Sequence, residues 1–186
     1  MLMATNPFLG EIVCISLMKT NDAGQYDYLN LTGIEEEILL RFWSTISGFK
    51  GLYISFNGLN FDVPFILKRS MVLKIGSTNN NFLNTKRFIR FPHFDVMQVL
   101  ADYNPGNYAT LDLACDSLGV ETPKGGDIVA ATVAQAFEDG RIDEIAEYCL
   151  KDCQLVYDLW KHGQENGIVK GLSIKEEEVL DLKVEW

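Results

Sequence analysis

Cysteine, histidine and positive charge are all scarce in this chain, and each scarcity narrows the range of functions. The 186 residues include four cysteines, Cys14, Cys115, Cys149 and Cys153, and none forms a CxxC pair. Neither a disulfide framework nor a zinc site is expected from that spacing. Cys149 and Cys153, four apart on an expected helix, read as part of a buried face, the usual habit of free thiols. The two histidines, His93 and His162, are too far apart in sequence to suggest a local metal pair. Sixteen Lys and Arg face 26 Asp and Glu, a net charge of -10, and the isoelectric point is about 4.6. That balance argues against a protein that coats a phosphate backbone with basic side chains. It does not argue against a metal-dependent nuclease, whose site needs clustered carboxylates and whose bound Mg²⁺ inverts the local sign of charge. No apolar run approaches a membrane span, and no signal peptide opens the chain. A soluble, cytoplasmic protein that does not engage membranes is the expectation.

What is present is an ordinary globular composition, 47% hydrophobic and 23% charged, with length enough for one domain and a substantial core. Residues 11–18 are apolar and rich in β-branched side chains, so they predict a strand. A turn at 21–24 and a returning strand at 26–31 complete a hairpin. Thr32 and Glu35 have capping-box spacing, and Ile38, Phe42, Ile46 and Phe49 follow at helical spacing. Residues 52–56 read as a buried strand, and a helix is expected over about 61–74, with Pro64 tolerated in its first turn. A polar loop spans 77–84. Helical patterns follow at 95–101, 111–118, 129–137 and 142–160. Strands early and helices late predict a mixed sheet flanked by helices in one α/β domain over 1–163. Residues 164–186 read as a loosely attached acidic tail, its Glu176, Glu177, Glu178, Asp181 and Glu185 solvated.

Two constellations carry chemistry. Asn57-Gly58-Leu59-Asn60-Phe61-Asp62 lies where a buried strand ends and a helix begins, a favoured place for ligand sites in open α/β sheets. Asp62 alone also reads as a carboxylate placed to favour a helix dipole. The second is Tyr148-Cys149-Leu150-Lys151-Asp152. A spacing of four puts Tyr148 and Asp152 on one helix face, beside Ile145 and Leu155. An unpartnered carboxylate within that apolar stripe is costly, and a metal ion or a positive partner would relieve it. The alternative is a Tyr–Asp surface pair. Asp95 reads first as an N-cap, and Lys124 and Lys151 either contact phosphate or are solvated charges.

Together the two constellations resemble the second motif, Asn-x-x-x-Phe-Asp, and the third, Tyr-x-x-x-Asp, of DEDDy 3′→5′ exonucleases in the branch found in family-B DNA polymerases. Residues 91–100, 111–119 and 124–127 resemble the segments that separate those motifs. The resemblance covers about 11–162. It implies a ribonuclease H-like fold and a site holding two Mg²⁺ or Mn²⁺ ions about 4 Å apart. On that resemblance Asp152 and Asp62 ligate metal, and Asp62, Tyr148 and Asp152 are the catalytic set. Tyr148 orients the attacking water, since a phenol with a pKa near 10 is a poor base at neutral pH. Asn57 and Phe61 position the terminal nucleotide. The implied substrate is a nucleic-acid 3′ end, single-stranded DNA first.

One motif departs from the pattern. The family's first strand ends in Asp-x-Glu, often followed by Thr. If Thr5 holds that threonine, Leu2 and Ala4 stand where the acids belong, and Glu11 is the only acid before Asp22. The first strand is therefore expected to be absent or truncated and the sheet frayed there. The missing acids also keep a second reading open, a non-catalytic module of the same fold that binds nucleic acid or protein. A third, a small-molecule enzyme on an α/β fold, is disfavoured because no Gly-rich phosphate loop or nucleophile elbow appears.

Overall fold

The computed structural model describes residues 6–20, 25–122, 127–129, 131–167 and 179–185. The expected turn at 21–24, Leu2, Ala4 and Thr5, and Lys124 lie outside the described residues.

The first hairpin pairs β1 (Cys14–Thr20) with β2 (Tyr26–Thr32) antiparallel, Leu17 opposite Leu29. α1 (Glu35–Ile46) buries Ile38, Leu39, Phe42, Trp43 and Ile46 on one stripe, and its first turn carries Glu35, Glu36 and Glu37 against the helix dipole. The capping box does not form. Ile34 is the N-cap with no side-chain hydrogen bond, because Glu35 is drawn elsewhere. Its Oε1 accepts the Ile12 N–H at 2.7 Å, and both its oxygens take the Arg69 guanidinium at 2.8 and 2.6 Å.

β3 (Leu52–Ser55) is buried throughout and leads into α2 (Asp62–Val72), with Pro64 in its first turn. The polar 77–84 loop is anchored by Asn79, whose Nδ2 donates to Ile46 O, Phe49 O and Tyr53 Oη. A three-residue strand absent from the sequence reading follows, β4 (His93–Asp95), parallel to β3. His93 is buried and stacks on Tyr53 with ring centroids 5.2 Å apart. Its Nε2 lies 2.8 Å from Phe82 O, so it is a core histidine. α3 (Val96–Leu100) and α4 (Leu111–Leu118) come next, α4 capped by Thr110 and closed by Gly119 at φ 70°. The helix expected from 129 begins later, as α5 (Val133–Glu138), because Thr132 and Val129 close a turn on each other instead. α6 (Ile142–Glu165) runs beyond the expected end and buries Cys149 and Cys153 on its inner face. All four cysteines are buried and free.

The largest departure is at the end of the chain. Residues 179–185, expected to be part of a solvated tail, form β5 (Val179–Glu185) in the middle of the sheet. The strand order is β2-β1-β5-β3-β4. β5 runs antiparallel to β1, Ile15 opposite Val184, and parallel to β3, Ile54 opposite Asp181. The sheet is thus continuous where a gap was expected. Leu180, Leu182 and Val184 enter the core shared with α1 and α2, while β5 packs α6 against its other face. The result is an α/β domain with a five-stranded mixed sheet flanked by helices, as a ribonuclease H-like fold requires.

Candidate active site

The site is assembled at the end of β3. The chain turns sharply there, Asn57 adopting φ 64°, a conformation asparagine tolerates better than most residues. Gly58 has no room for a side chain: a Cβ there would lie 2.5 Å from Ser55 Cβ and 3.3 Å from Asp62 Oδ2. Asp95, at the end of the neighbouring strand, holds this turn. Its Oδ1 accepts the Asn57 N–H at 2.9 Å and its Oδ2 the Leu59 N–H at 3.1 Å. The same carboxylate caps α3 through the Gln98 N–H, so the N-cap reading of Asp95 stands, and the residue shapes the motif loop as well. Asn60 Nδ2 donates to Asn57 Oδ1, and Phe61 is exposed at the lip.

The turn delivers Asp62 to the first residue of α2, almost wholly buried. Its Oδ1 accepts the Val184 N–H of β5 at 3.0 Å. Tyr148 and Asp152 are half-buried on one face of α6, and the Asp152 charge acts on the Tyr148 phenol. The Asp62 charge acts on Asp152, and the Lys183 ammonium acts on both. Asp62, Tyr148 and Asp152, distant in sequence, therefore stand together. Asn57 and Phe61 border them through the turn that carries Asp62.

Two further residues of the cluster come from β5. Lys183 Nζ lies 3.8 Å from Asp152 Oδ2 and 3.4 Å from Glu185 Oε1, and it acts electrostatically on Asp62 as well. Glu185 belongs to the segment expected to be a solvated tail, and Lys183 lies in no recognised motif. The signal was available in the strict apolar/charged alternation of Leu180-Asp181-Leu182-Lys183-Val184-Glu185, the pattern of a strand with two different faces.

Burial raises the pKa of Asp62, of Asp152 and of Glu185, in each case opposed by the Lys183 ammonium. Burial also raises the Tyr148 phenol, reinforced by the adjacent Asp152 charge, which keeps the phenol protonated at neutral pH. For Lys183, burial favours the neutral amine, but Glu185, Asp62 and Asp152 outweigh it and hold its pKa well above the ordinary lysine value. Among the described residues no group of three or more His, Cys, Asp or Glu side chains is arranged to hold a metal ion.

Residues 6–166 match a family described as a predicted 3′-5′ exonuclease related to the exonuclease domain of PolB. Comparison with curated proteins and with solved structures returns no match. The match spans most of the chain, and the chain belongs to that exonuclease-related family.

Proposed function

We propose that this member of the family works at the 3′ ends of nucleic acid, with single-stranded DNA as the preferred partner, and that it hydrolyses them slowly or not at all. The observation that carries the reading is the convergence of Asp62, Tyr148 and Asp152 beside the Asn57–Phe61 turn, in a chain of exonuclease kinship. Tyr148 and Asp152 are placed to orient a water or a terminal phosphate, and Phe61 offers an exposed ring against which a terminal base can stack. A second feature supports a nucleic-acid partner for so acidic a protein. The exposed segment Lys86-Arg87-Phe88-Ile89-Arg90-Phe91 interleaves three cations with aromatic rings. Arg87 Cζ lies 5.4 Å from the Phe88 ring centre, and Phe88 packs edge-on against Tyr103. Basic groups with aromatic faces are the physical means by which single strands are held. Four buried free thiols fit a reducing, cytoplasmic setting.

Exonucleases of this kind generally use divalent metal ions, and two-metal hydrolysis clamps the attacking and leaving oxygens of the phosphodiester. The residues described do not fit a pair of Mg²⁺ or Mn²⁺ ions. Asp62 has one oxygen committed to the Val184 N–H, and an ammonium already stands beside Asp152 and Glu185. That ammonium favours the reading of a domain that holds the end without cutting it.

The test uses a single strand labelled at its 3′ end, followed by anisotropy and by nucleotide release in Mn²⁺. The expected outcome is tighter binding of a free 3′-hydroxyl end than of a circular strand, with release near background. Robust Mn²⁺-dependent release that Asp152→Ala abolishes would establish an active exonuclease instead. Equal affinity for linear and circular strands would remove the 3′-end assignment.

A further inference from the structure

Charge is spread unevenly along this acidic chain. Residues 63–94 contain no acidic side chain, and the exposed tract within them sets Lys86 and Arg87 beside Phe88, Ile89 and Phe91, which are 66%, 45% and 39% exposed. Residues 127–147 hold six acids against one base, Arg141, whose guanidinium is paired with Glu144 at 2.6 Å. A cleft of about 350 Å³ opens between residues 9–13, the end of α2 and α5. Leu9, Val133 and Phe137 give it apolar walls, and Glu11 and Glu138 line it as exposed carboxylates. Arg69 lines it too, but its Nε and Nη2 are taken by Glu35, so the cleft is net negative. We propose that this cleft receives the 86–91 tract of a second copy of the chain, and that the contact competes with single-strand binding for the tract.

The two surfaces complement each other in charge and in polarity. The tract offers cations and exposed apolar side chains, and the cleft offers carboxylates at apolar walls. Neighbouring exposed apolar groups mark interaction surfaces, and opposite charges steer the approach and fix its orientation. The tract is also held for presentation. Phe88 stands at φ 65° with its ring edge-on to Tyr103, centroids 5.0 Å apart, and a bulky residue kept in that conformation points to a functional demand. A net charge of -10 opposes indiscriminate association, so copies are drawn together where basic tract faces acidic cleft. Such a contact joins two different surfaces. It closes when two copies exchange tracts or a ring forms, and otherwise it propagates. The competition rests on the reading of the tract as a nucleic-acid contact, since both partners would use the same cations and rings.

The readout is mass in solution. Sedimentation velocity of the full chain is followed over a concentration series at low and high salt. The native chain is expected to exceed monomer mass as concentration rises and to return toward monomer in high salt. Glu138→Lys with Glu11→Gln reverses the cleft, and Lys86→Glu with Arg87→Glu reverses the tract. All four positions are exposed, so the fold is expected to tolerate them. Each double variant alone is expected to associate at least about tenfold more weakly. An equimolar mixture of the two is expected to restore association, because the reversed cleft then meets the reversed tract and the native cleft the native tract. A short unlabelled single strand added to the native chain is expected to return it to monomer. A native chain that stays monomeric at every soluble concentration would overturn the inference. So would double variants that associate as the native chain does, or a mixture that stays monomeric. A strand that binds without separating the copies would overturn the shared use of the tract. Association with all these properties, in a chain that shows no preference for 3′ ends, would count against the proposed function alone and leave this contact standing.

Discussion

Single charged residues decide more here than the composition suggests. Glu35 and Arg69 form a bidentate pair with side chains 8% and 11% exposed, and Glu35 also takes the Ile12 N–H ahead of β1. Removing one partner of such a pair strands the other charge in the core. Glu35→Ala should therefore cost about 3–5 kcal/mol in urea unfolding, and a cost below 1 kcal/mol would show the pair to be dispensable. Asp181 presents the opposite case. It is buried in β5, its Oδ1 accepts the Leu182 N–H, and burial lifts its pKa well above the ordinary carboxyl value. A raised carboxyl pKa means that the folded protein binds the proton more tightly than the unfolded chain. Asp181 therefore weakens stability as pH rises above about 3.9, the unfolded aspartate value. Asp181→Asn keeps the accepting oxygen and removes the titration. It should be neutral in acid and stabilising by about 1–3 kcal/mol at pH 7. A gain that is the same at both pH values would contradict this account.

At the scale of elements, legibility followed how local each signal was. Asn57–Asp62 and Tyr148–Asp152 can be read from the chain because each lies on one turn or one helix face, where spacing translates directly into proximity. β4 escaped notice because three residues carry too little pattern to register. The Glu35 cap was misread because a distant partner, Arg69, competes for the same carboxylate. β5 shows the strongest conflict. Its alternation is that of a strand, yet its charged face suggested water, and only the cluster formed with Asp62 and Asp152 explains why Lys183 and Glu185 turn inward. The seating of β5 is directly testable. Leu182 is 2% exposed in the core shared with α1 and α2, so Leu182→Ala should cost about 2–5 kcal/mol. A solvated tail would register within about 0.5 kcal/mol. The 86–91 segment makes a separate prediction. Arg87→Glu with Phe88→Ala should weaken single-strand binding about tenfold and lower its salt dependence by about one counterion. Unchanged affinity in the double variant would remove this segment from the interface.

At the scale of the whole molecule, the end of the chain completes a sheet begun near its start. β5 lies between β1 and β3, so the site at their ends depends on a strand more than a hundred residues from either partner. The fold class was legible because hairpin, buried strand and amphipathic helices each follow their own period. The content of the site was not, because half of its charges arrive on that last strand. The central claim is that a nucleic-acid 3′ end lodges among Phe61, Tyr148 and Asp152. The most direct measurement is photocross-linking of a single strand whose 3′-terminal nucleotide is a photoactivatable thiothymidine, with adducts mapped by mass spectrometry. The account predicts adducts on the peptides containing Phe61 or Tyr148, lost when the thiothymidine is moved to the 5′ end. Adducts that do not depend on the 3′ terminus, or that fall on the opposite side of the sheet near α1, would contradict it.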